Sequence, residues 1–205
     1  GHGALGERAL GIHHFLEQRV LAGLLGLVAI EAIMAQPQPC GDVEAALLIR
    51  DNIRHRHDIE NAYLLGIAAA RRDIVLANAY FLPGRRFRQA LLDAARRGVR
   101  ITLLIQGIAD HPLQQRATRA LYGQLLDAGI RIVEYRRSYL HAKVAVIDDH
   151  WATVGSSNID PFSLLLAREA NVVVRNATFA SGLRARLQQA IDIGGHEIHA
   201  NDWQR

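Results

Sequence analysis

A histidine and a lysine stand two positions apart in the stretch LHAKVAVIDDHWATVGSSNID, residues 140–160. Lys143 is the only lysine of the chain, and arginine supplies all the other basic side chains among the 24 lysines and arginines. The run has strand character, so His141 and Lys143 would point to one face, about 7 Å apart. Burying an ammonium there is costly unless an anion meets it. A lysine presents a compact charge that fits beneath one phosphoryl group, so the pair indicates phosphate chemistry.

Hydrogen-bonding side chains follow this predicted strand. Gly155 permits a close approach of the backbone, while Ser156, Ser157 and Asn158 offer hydroxyl and amide groups. Beside a lysine, such donors would form a cradle for a phosphate. A purely structural explanation is also open, because the aspartate and proline at 160–161 are typical of a helix start. Part of the serine and asparagine cluster could simply precede that helix.

The chain around these residues alternates between strand and helix patterns. Apolar runs with strand character occur at 73–81, 99–107, 130–135 and 169–175. Helical spacing of apolar residues occurs at 58–72, 85–98, 113–129 and 179–192. Strands separated by helices of this length predict an α/β domain with a mixed, mostly parallel sheet that helices cover on both faces.

Residues 1–45 differ from the rest of the sequence. The run Val20–Ile30 is continuously apolar, but at about 11 residues it is shorter than the roughly 20 that a membrane-spanning helix needs. We therefore predict an N-terminal apolar segment of unknown role over 1–45 and the α/β domain over 46–205. The net charge of +4 favours anionic partners such as phosphates, nucleic acid or a membrane surface.

Few other residues indicate a site. The single cysteine, Cys40, excludes an internal disulfide and a multi-cysteine zinc site. His196 and His199 have the spacing of metal ligands on one helical turn, but no third ligand accompanies them. We therefore expect neither a metal nor a cofactor. Asp110 or His111, which follow a predicted strand, could line the entrance to a cleft.

The pattern H-x-K-x4-D-x6-G-S-x-N over residues 141–158 resembles the HKD signature of the phospholipase D superfamily. The wider stretch 50–175 is similar to the C-terminal half of bacterial cardiolipin synthases, above all those of the B type; residues 1–45 take no part. The stretches that carry this similarity are AYFLPG, ALLDAARRGVRI and SSNIDPFSLLLAREANVVVR. The resemblance implies a phospholipase D-like half-domain and an enzyme that moves a phosphatidyl group between lipid alcohols.

The resemblance also implies residue roles. In the family one histidine attacks phosphorus to form a phosphohistidine, and a second histidine protonates the leaving oxygen. By position, His141 is the nucleophile or the acid. Lys143 and Asn158 bind the phosphate, and Ser156 is a supporting donor. No metal is implied.

Two acidic residues complete the predicted catalytic group. Glu169 corresponds to the acid that, in the family, accepts a hydrogen bond from the catalytic imidazole. The family commonly has asparagine two positions earlier, where this chain has Ala167. Asp148 belongs to the signature, but it lies an odd number of residues from His141. A regular strand would turn it to the other face, which favours an indirect, structural role.

Family enzymes bring two HKD motifs together, and a chain with one lysine can hold only one of them. Three interpretations are open: the C-terminal half of a longer enzyme, which we favour, a homodimer in which two copies of His141 meet, or an inactive remnant. The predicted function is a phosphatidyltransferase of the cardiolipin synthase type. It would act on a phosphatidylglycerol-like phospholipid at the cytoplasmic face of a bacterial inner membrane. The alternatives are a dimeric single-motif nuclease and a non-catalytic protein that binds lipid or phosphate.

Overall fold

One sheet of eight strands organises the described residues, 43–108 and 111–203, in a computed structural model of the chain. The strands are β1 (Glu44–Arg50), β2 (Asp73–Asn78), β3 (Arg100–Gln106), β4 (Arg131–Tyr135), β5 (Lys143–Ile147), β6 (Trp151–Gly155), β7 (Glu169–Arg175) and β8 (Gly195–Ile198). Their order across the sheet is β1-β7-β6-β5-β2-β3-β4-β8.

Helices connect or flank these strands. Those within the described part of the chain are α1 (Asp58–Ala69), α2 (Arg85–Arg96), α3 (Pro112–Arg119), α4 (Tyr122–Asp127), α5 (Pro161–Leu165), α6 (Ala177–Gly194) and α7 (Ala200–Trp203). None of them combines the length and the apolar character that crossing a membrane would require.

The α/β class and the mixed sheet are confirmed, but the prediction of a mostly parallel sheet is wrong. Only β2 with β3 and β3 with β4 pair in parallel, and every other neighbouring pair is antiparallel. The connections explain the difference. A parallel pair needs a crossover of a dozen or more residues, whereas a turn of three residues, 148–150, joins β5 to β6.

Helices cover both faces of the sheet, as predicted. On one face α1, α2 and α4 contribute Ile67, Leu91 and Leu125 to a cluster with Ile74 and Leu76 of β2. On the other face α6 packs Leu187 and Ile191 against the sheet. Alternation along the strands supplies both clusters, since successive side chains point to opposite faces.

The edges of the domain differ from the sequence prediction. The compact unit begins at Val43 rather than at residue 46, because β1 pairs Glu44 and Ala45 with the end of β7. Residues 1–42, with Cys40 and the apolar run, lie outside the described residues. The helix predicted over 113–129 is two helices, α3 and α4. His196 belongs to strand β8, so it does not share a helical turn with His199.

Polar side chains replace apolar ones at one end of the sheet. Lys143 begins β5 and pairs with Asn78, the last residue of β2. In the same way Glu169 begins β7 and pairs with Arg50, the last residue of β1. Asn78, Lys143 and Arg50 are buried, so this end of the sheet is a polar site inside the fold.

Candidate active site

His141 and Lys143 form the centre of this polar end. The Lys143 Nζ atom lies 3.3 Å from Nε2 of His141 and 3.3 Å from its backbone oxygen. Only 6% of Lys143 is exposed, whereas His141 is exposed to solvent. An ammonium group can only donate, so the contact requires a lone pair on Nε2. The structure thus brings a buried cation to the imidazole of an exposed histidine whose Nε2 carries a lone pair.

The electrostatics of Lys143 depend on its neighbours. Burial lowers the pKa of the Lys143 ammonium, because the charged form loses its water. The carboxylates of Glu169 and Asp160 act in the opposite direction and favour the charged form. Two negative groups therefore help to hold a cation in a place that would otherwise expel it.

Ser156 directly follows β6, and Glu169 is the first residue of the neighbouring strand β7. The Ser156 hydroxyl donates to Oε2 of Glu169, and the Ala170 N–H donates to the same hydroxyl at 3.0 Å. Within the described residues, no hydrogen bond joins Glu169 to His141. In this arrangement Glu169 acts on the site through Ser156 and through the charge of Lys143, and the predicted contact with the imidazole stays a prediction.

Two buried carboxamides hold the loop that carries Asn158. Oδ1 of Asn171 accepts the Ser157 N–H at 3.3 Å, and Oδ1 of Asn78 accepts the Ile159 N–H at 3.1 Å. Between these anchors, Oδ1 of Asn158 is buried and has no hydrogen-bond partner among the described residues. The fold thus anchors the residues on both sides of Asn158, and what the Asn158 side chain binds stays a prediction.

Asn78 and Asn171 were not predicted from the sequence. Each is a polar residue within an apolar strand pattern, LANAYF and EANVVVR respectively. A buried carboxamide in such a place needs hydrogen-bond partners. An asparagine within an apolar strand pattern was therefore the sequence feature that could have indicated these two positions.

Asp148 lies away from this group, and a part in catalysis stays a prediction for it. It follows the far end of β5, about 16 Å along the strand from Lys143. Its carboxylate accepts the backbone N–H groups of Arg71, Arg72 and Asp73 at 3.0, 2.9 and 3.0 Å. Burial alone would raise the pKa of Asp148, but these donors hold it below its usual value. The carboxylate therefore fastens the turn between α1 and β2.

Asp160 starts helix α5, as the structural explanation of the serine and asparagine cluster required. Its side chain accepts the N–H groups of Phe162 at 2.8 Å and Ser163 at 3.0 Å. Ser156 and Asn158 take no part in this cap. The cap and the predicted phosphate cradle thus use different residues of one loop.

A small cleft of about 20 Å³ lies beside the site at the ends of β2 and β3. His111 lines it, with its ring edge-on to Tyr80 at 5.5 Å between centroids, whereas Asp110 lies outside the described residues. Gln106, another residue missed by sequence reasoning, lines the cleft and accepts the Leu140 N–H at 2.6 Å. Among the described residues, no group of three or more histidine, cysteine or acidic residues is placed to hold a metal.

Comparison with known proteins places these residues in a family. Residues 63–191 match the family described as cardiolipin synthase, PLD-like domain. The chain is 52% identical to cardiolipin synthase B of Escherichia coli K12 over 151 residues, which are 74% of this chain and 37% of that protein. It is 34% identical to the minor cardiolipin synthase ClsB of Bacillus subtilis over 133 residues, 65% of this chain and 33% of that protein. The chain thus spans about a third of the length of these relatives.

Solved structures share the fold. Nuc of Salmonella typhimurium, a phospholipase D family member, matches with a TM-score of 0.66 and 21% identity, over 77% of this chain and 99% of that one. The phosphatidylserine synthase of Haemophilus influenzae matches with a TM-score of 0.64 and 10% identity, over 80% of this chain and 42% of that one. At these identities the similarity concerns the fold.

Proposed function

Since the chain belongs to the cardiolipin synthase family of phospholipase D-like domains, we propose that it supplies one half of the active site of a phosphatidyltransferase. The observation that carries this proposal is the 3.3 Å approach of the buried Lys143 ammonium to Nε2 of the exposed His141. The names of its relatives support cardiolipin as the product, and the proposed substrate is a phospholipid of the phosphatidylglycerol type.

The proposed reaction is a double displacement at phosphorus. The lone pair of His141 Nε2 attacks the phosphodiester, the bond from phosphorus to the leaving alcohol breaks, and an acid protonates that alcohol. A second alcohol then attacks the phosphohistidine, loses its proton and restores the imidazole. Lys143 binds a non-bridging oxygen and stabilises the charge that develops in both steps. If His141 is instead the acid and the partner histidine the nucleophile, Nε2 of His141 must carry a proton and the Lys143 ammonium must turn to another acceptor.

A second histidine is needed, and we propose that it comes from outside this chain segment. The only lysine already belongs to the first motif, so the 205 residues cannot hold a second complete one. A longer protein could provide the other half, as the 37% coverage of the E. coli relative suggests. A second copy of the chain could also provide it. The proposed place of action is the surface of an anionic membrane, on the cytoplasmic side of a bacterial inner membrane.

The test combines turnover with anion binding. The assembly that supplies both histidines, either the longer protein or the dimer, is incubated with vesicles of phosphatidylglycerol, and mass spectrometry follows cardiolipin and released glycerol. His141→Ala and Lys143→Ala should abolish turnover. His150→Ala is the matched control, because His150 is exposed on the turn at the other end of β5.

Binding of inorganic phosphate, measured by calorimetry, requires only one motif and should be lost in Lys143→Ala. Wild-type turnover by His141→Ala would contradict the proposal. So would cleavage of DNA in the presence of EDTA without any turnover of lipid, which is the result expected of a nuclease.

A further inference from the structure

The two polar atoms of the Asn78 side chain differ in their hydrogen bonding. The residue is 1% exposed, and its Oδ1 accepts the Ile159 N–H at 3.1 Å. Its Nδ2 is buried and has no hydrogen-bond partner among the described residues. The orientation of the amide is fixed, because exchanging oxygen and nitrogen would direct an N–H donor against the Ile159 N–H. A donor is therefore left over on the side of the amide that faces away from Ile159.

The position of Asn78 places this donor in the active site. Asn78 and Lys143 are register partners on neighbouring antiparallel strands. Directly opposite residues point to the same face of a sheet, with their Cβ atoms about 5 Å apart. The anchor Ile159 is itself adjacent to Asn158 in sequence. Asn78 thus neighbours Lys143 in the sheet and also contacts the loop that carries the predicted phosphate cradle.

A buried donor without a hydrogen-bond partner lowers the stability of the folded state. Such groups are therefore rare in protein interiors. Asn171, the second carboxamide that holds the loop, has no unpartnered donor of this kind. Asn171 uses Oδ1 to accept the Ser157 N–H, and its Nδ2 donates to Oγ1 of Thr153 at 3.3 Å. Anchoring the loop therefore does not require an open donor, and the one on Asn78 calls for another explanation.

We propose that Asn78 is a further substrate-binding residue, and that its Nδ2 donates to a non-bridging oxygen of the phosphoryl group held by Lys143. This inference rests on the proposed function. A phosphodiester has two non-bridging oxygens, both of them acceptors. Lys143 supplies the charge for one, and Asn78 supplies a neutral donor for the other from the neighbouring strand.

Paired substitutions separate this role from loop anchoring. Asn78→Leu and Asn171→Leu each remove one acceptor that holds the loop, without adding charge. Asn78→Asp and Asn171→Asp restore that acceptor, add the same charge, and remove the amide donor. The measured quantity is the affinity for inorganic phosphate by calorimetry, with urea denaturation to verify that each variant is folded.

We expect Asn171→Asp to recover most of the affinity that Asn171→Leu loses. Asn78→Asp should remain at least about tenfold weaker than Asn171→Asp, because one hydrogen bond to a charged group is missing. Equal affinities of the two aspartate variants would overturn the inference and leave Asn78 as a loop anchor only. Lys143→Ala distinguishes that result from a failure of the proposed function. If only the inference about Asn78 fails, Lys143→Ala still loses its affinity for phosphate. If the proposed function fails, the phosphate affinity of Lys143→Ala is unchanged as well.

Discussion

Asn171 holds the loop of the active site only because Gly155 stands beside it. Oδ1 of Asn171 accepts the Ser157 N–H at 3.3 Å, and Asn171 pairs with Gly155 across β7 and β6. A Cβ atom at position 155 would overlap both Oδ1 and Cγ of Asn171. The space that this glycine leaves is therefore filled by a neighbouring carboxamide, and we expect any effect of Gly155 on the proposed phosphate binding to be indirect.

Gly155→Ala should destabilise the protein by about 1–3 kcal/mol, the usual cost of overpacking a buried site. It should also weaken phosphate binding, since displacement of Asn171 releases Ser157 and the loop that carries Asn158. Urea denaturation and calorimetry measure the two effects. Gly182→Ala is the control, because a Cβ there meets no atom within 4 Å. Unchanged stability of Gly155→Ala would show that Asn171 does not need this space.

Lys143→Met should stabilise the ligand-free protein at pH 7 while it abolishes phosphate binding. Because burial lowers the pKa of Lys143 in the folded state, the unfolded chain binds this proton more tightly, and the charged form opposes folding. This penalty is complete below the folded pKa. It disappears as the pH rises through that value towards the usual 10.5.

The free energies of unfolding of wild type and Lys143→Met should therefore differ at pH 7 and converge above pH 10.5. Arg137→Met removes an exposed cation a few residues away and should show neither effect. A loss of stability at pH 7 in Lys143→Met would mean that its attraction to Glu169 and Asp160 outweighs the cost of burial.

Glu169→Gln should shift the alkaline limit of phosphate binding to lower pH. The Glu169 carboxylate raises the pKa of Lys143, so its neutralisation allows the ammonium to lose its proton earlier. The affinity for phosphate is measured by calorimetry between pH 7 and the alkaline limit. Glu197→Gln, which removes a carboxylate on β8 that is bound to Arg131, should leave this limit in place. An unshifted limit in Glu169→Gln would separate Glu169 from the electrostatics of the site.

Asp148→Asn should cost about 1.5–3 kcal/mol of stability, because hydrogen bonds to a charged acceptor are lost, and it should leave phosphate affinity intact. Asparagine tolerates the positive φ of 49° at this position. The contribution of the ionised Asp148 is present above the unfolded pKa. It is lost as the pH falls through the lower folded value.

The stability difference between wild type and Asp148→Asn should accordingly shrink in acid. Asp149→Asn is the matched control, because Asp149 is exposed and pairs only with the exposed Arg72 among the described residues. It should change stability by less than about 1 kcal/mol. Loss of phosphate affinity in Asp148→Asn, with stability unchanged, would return Asp148 to the catalytic group.

Local patterns were sufficient to predict the α/β class, the helices on both faces and the proximity of His141 and Lys143. The spacing of two predicted this pair from one segment alone, although β5 begins at Lys143 and His141 lies just before it. The odd spacing of Asp148 likewise indicated that it would not join them. Periodicity carries this information because it depends on the geometry of one segment at a time.

The tertiary structure decided what depends on pairing between distant segments. Strand direction follows from how connections cross the sheet, so the antiparallel majority was not visible in the apolar runs. The edge strands β1 and β8 were missed, because short strands with mixed exposure have weak patterns. Asn78 and Asn171 reach the loop from strands 81 and 14 residues away in sequence. The sequence by itself thus predicted which residues bind a phosphate, and long-range strand pairing decided which other side chains hold the loop around them in place.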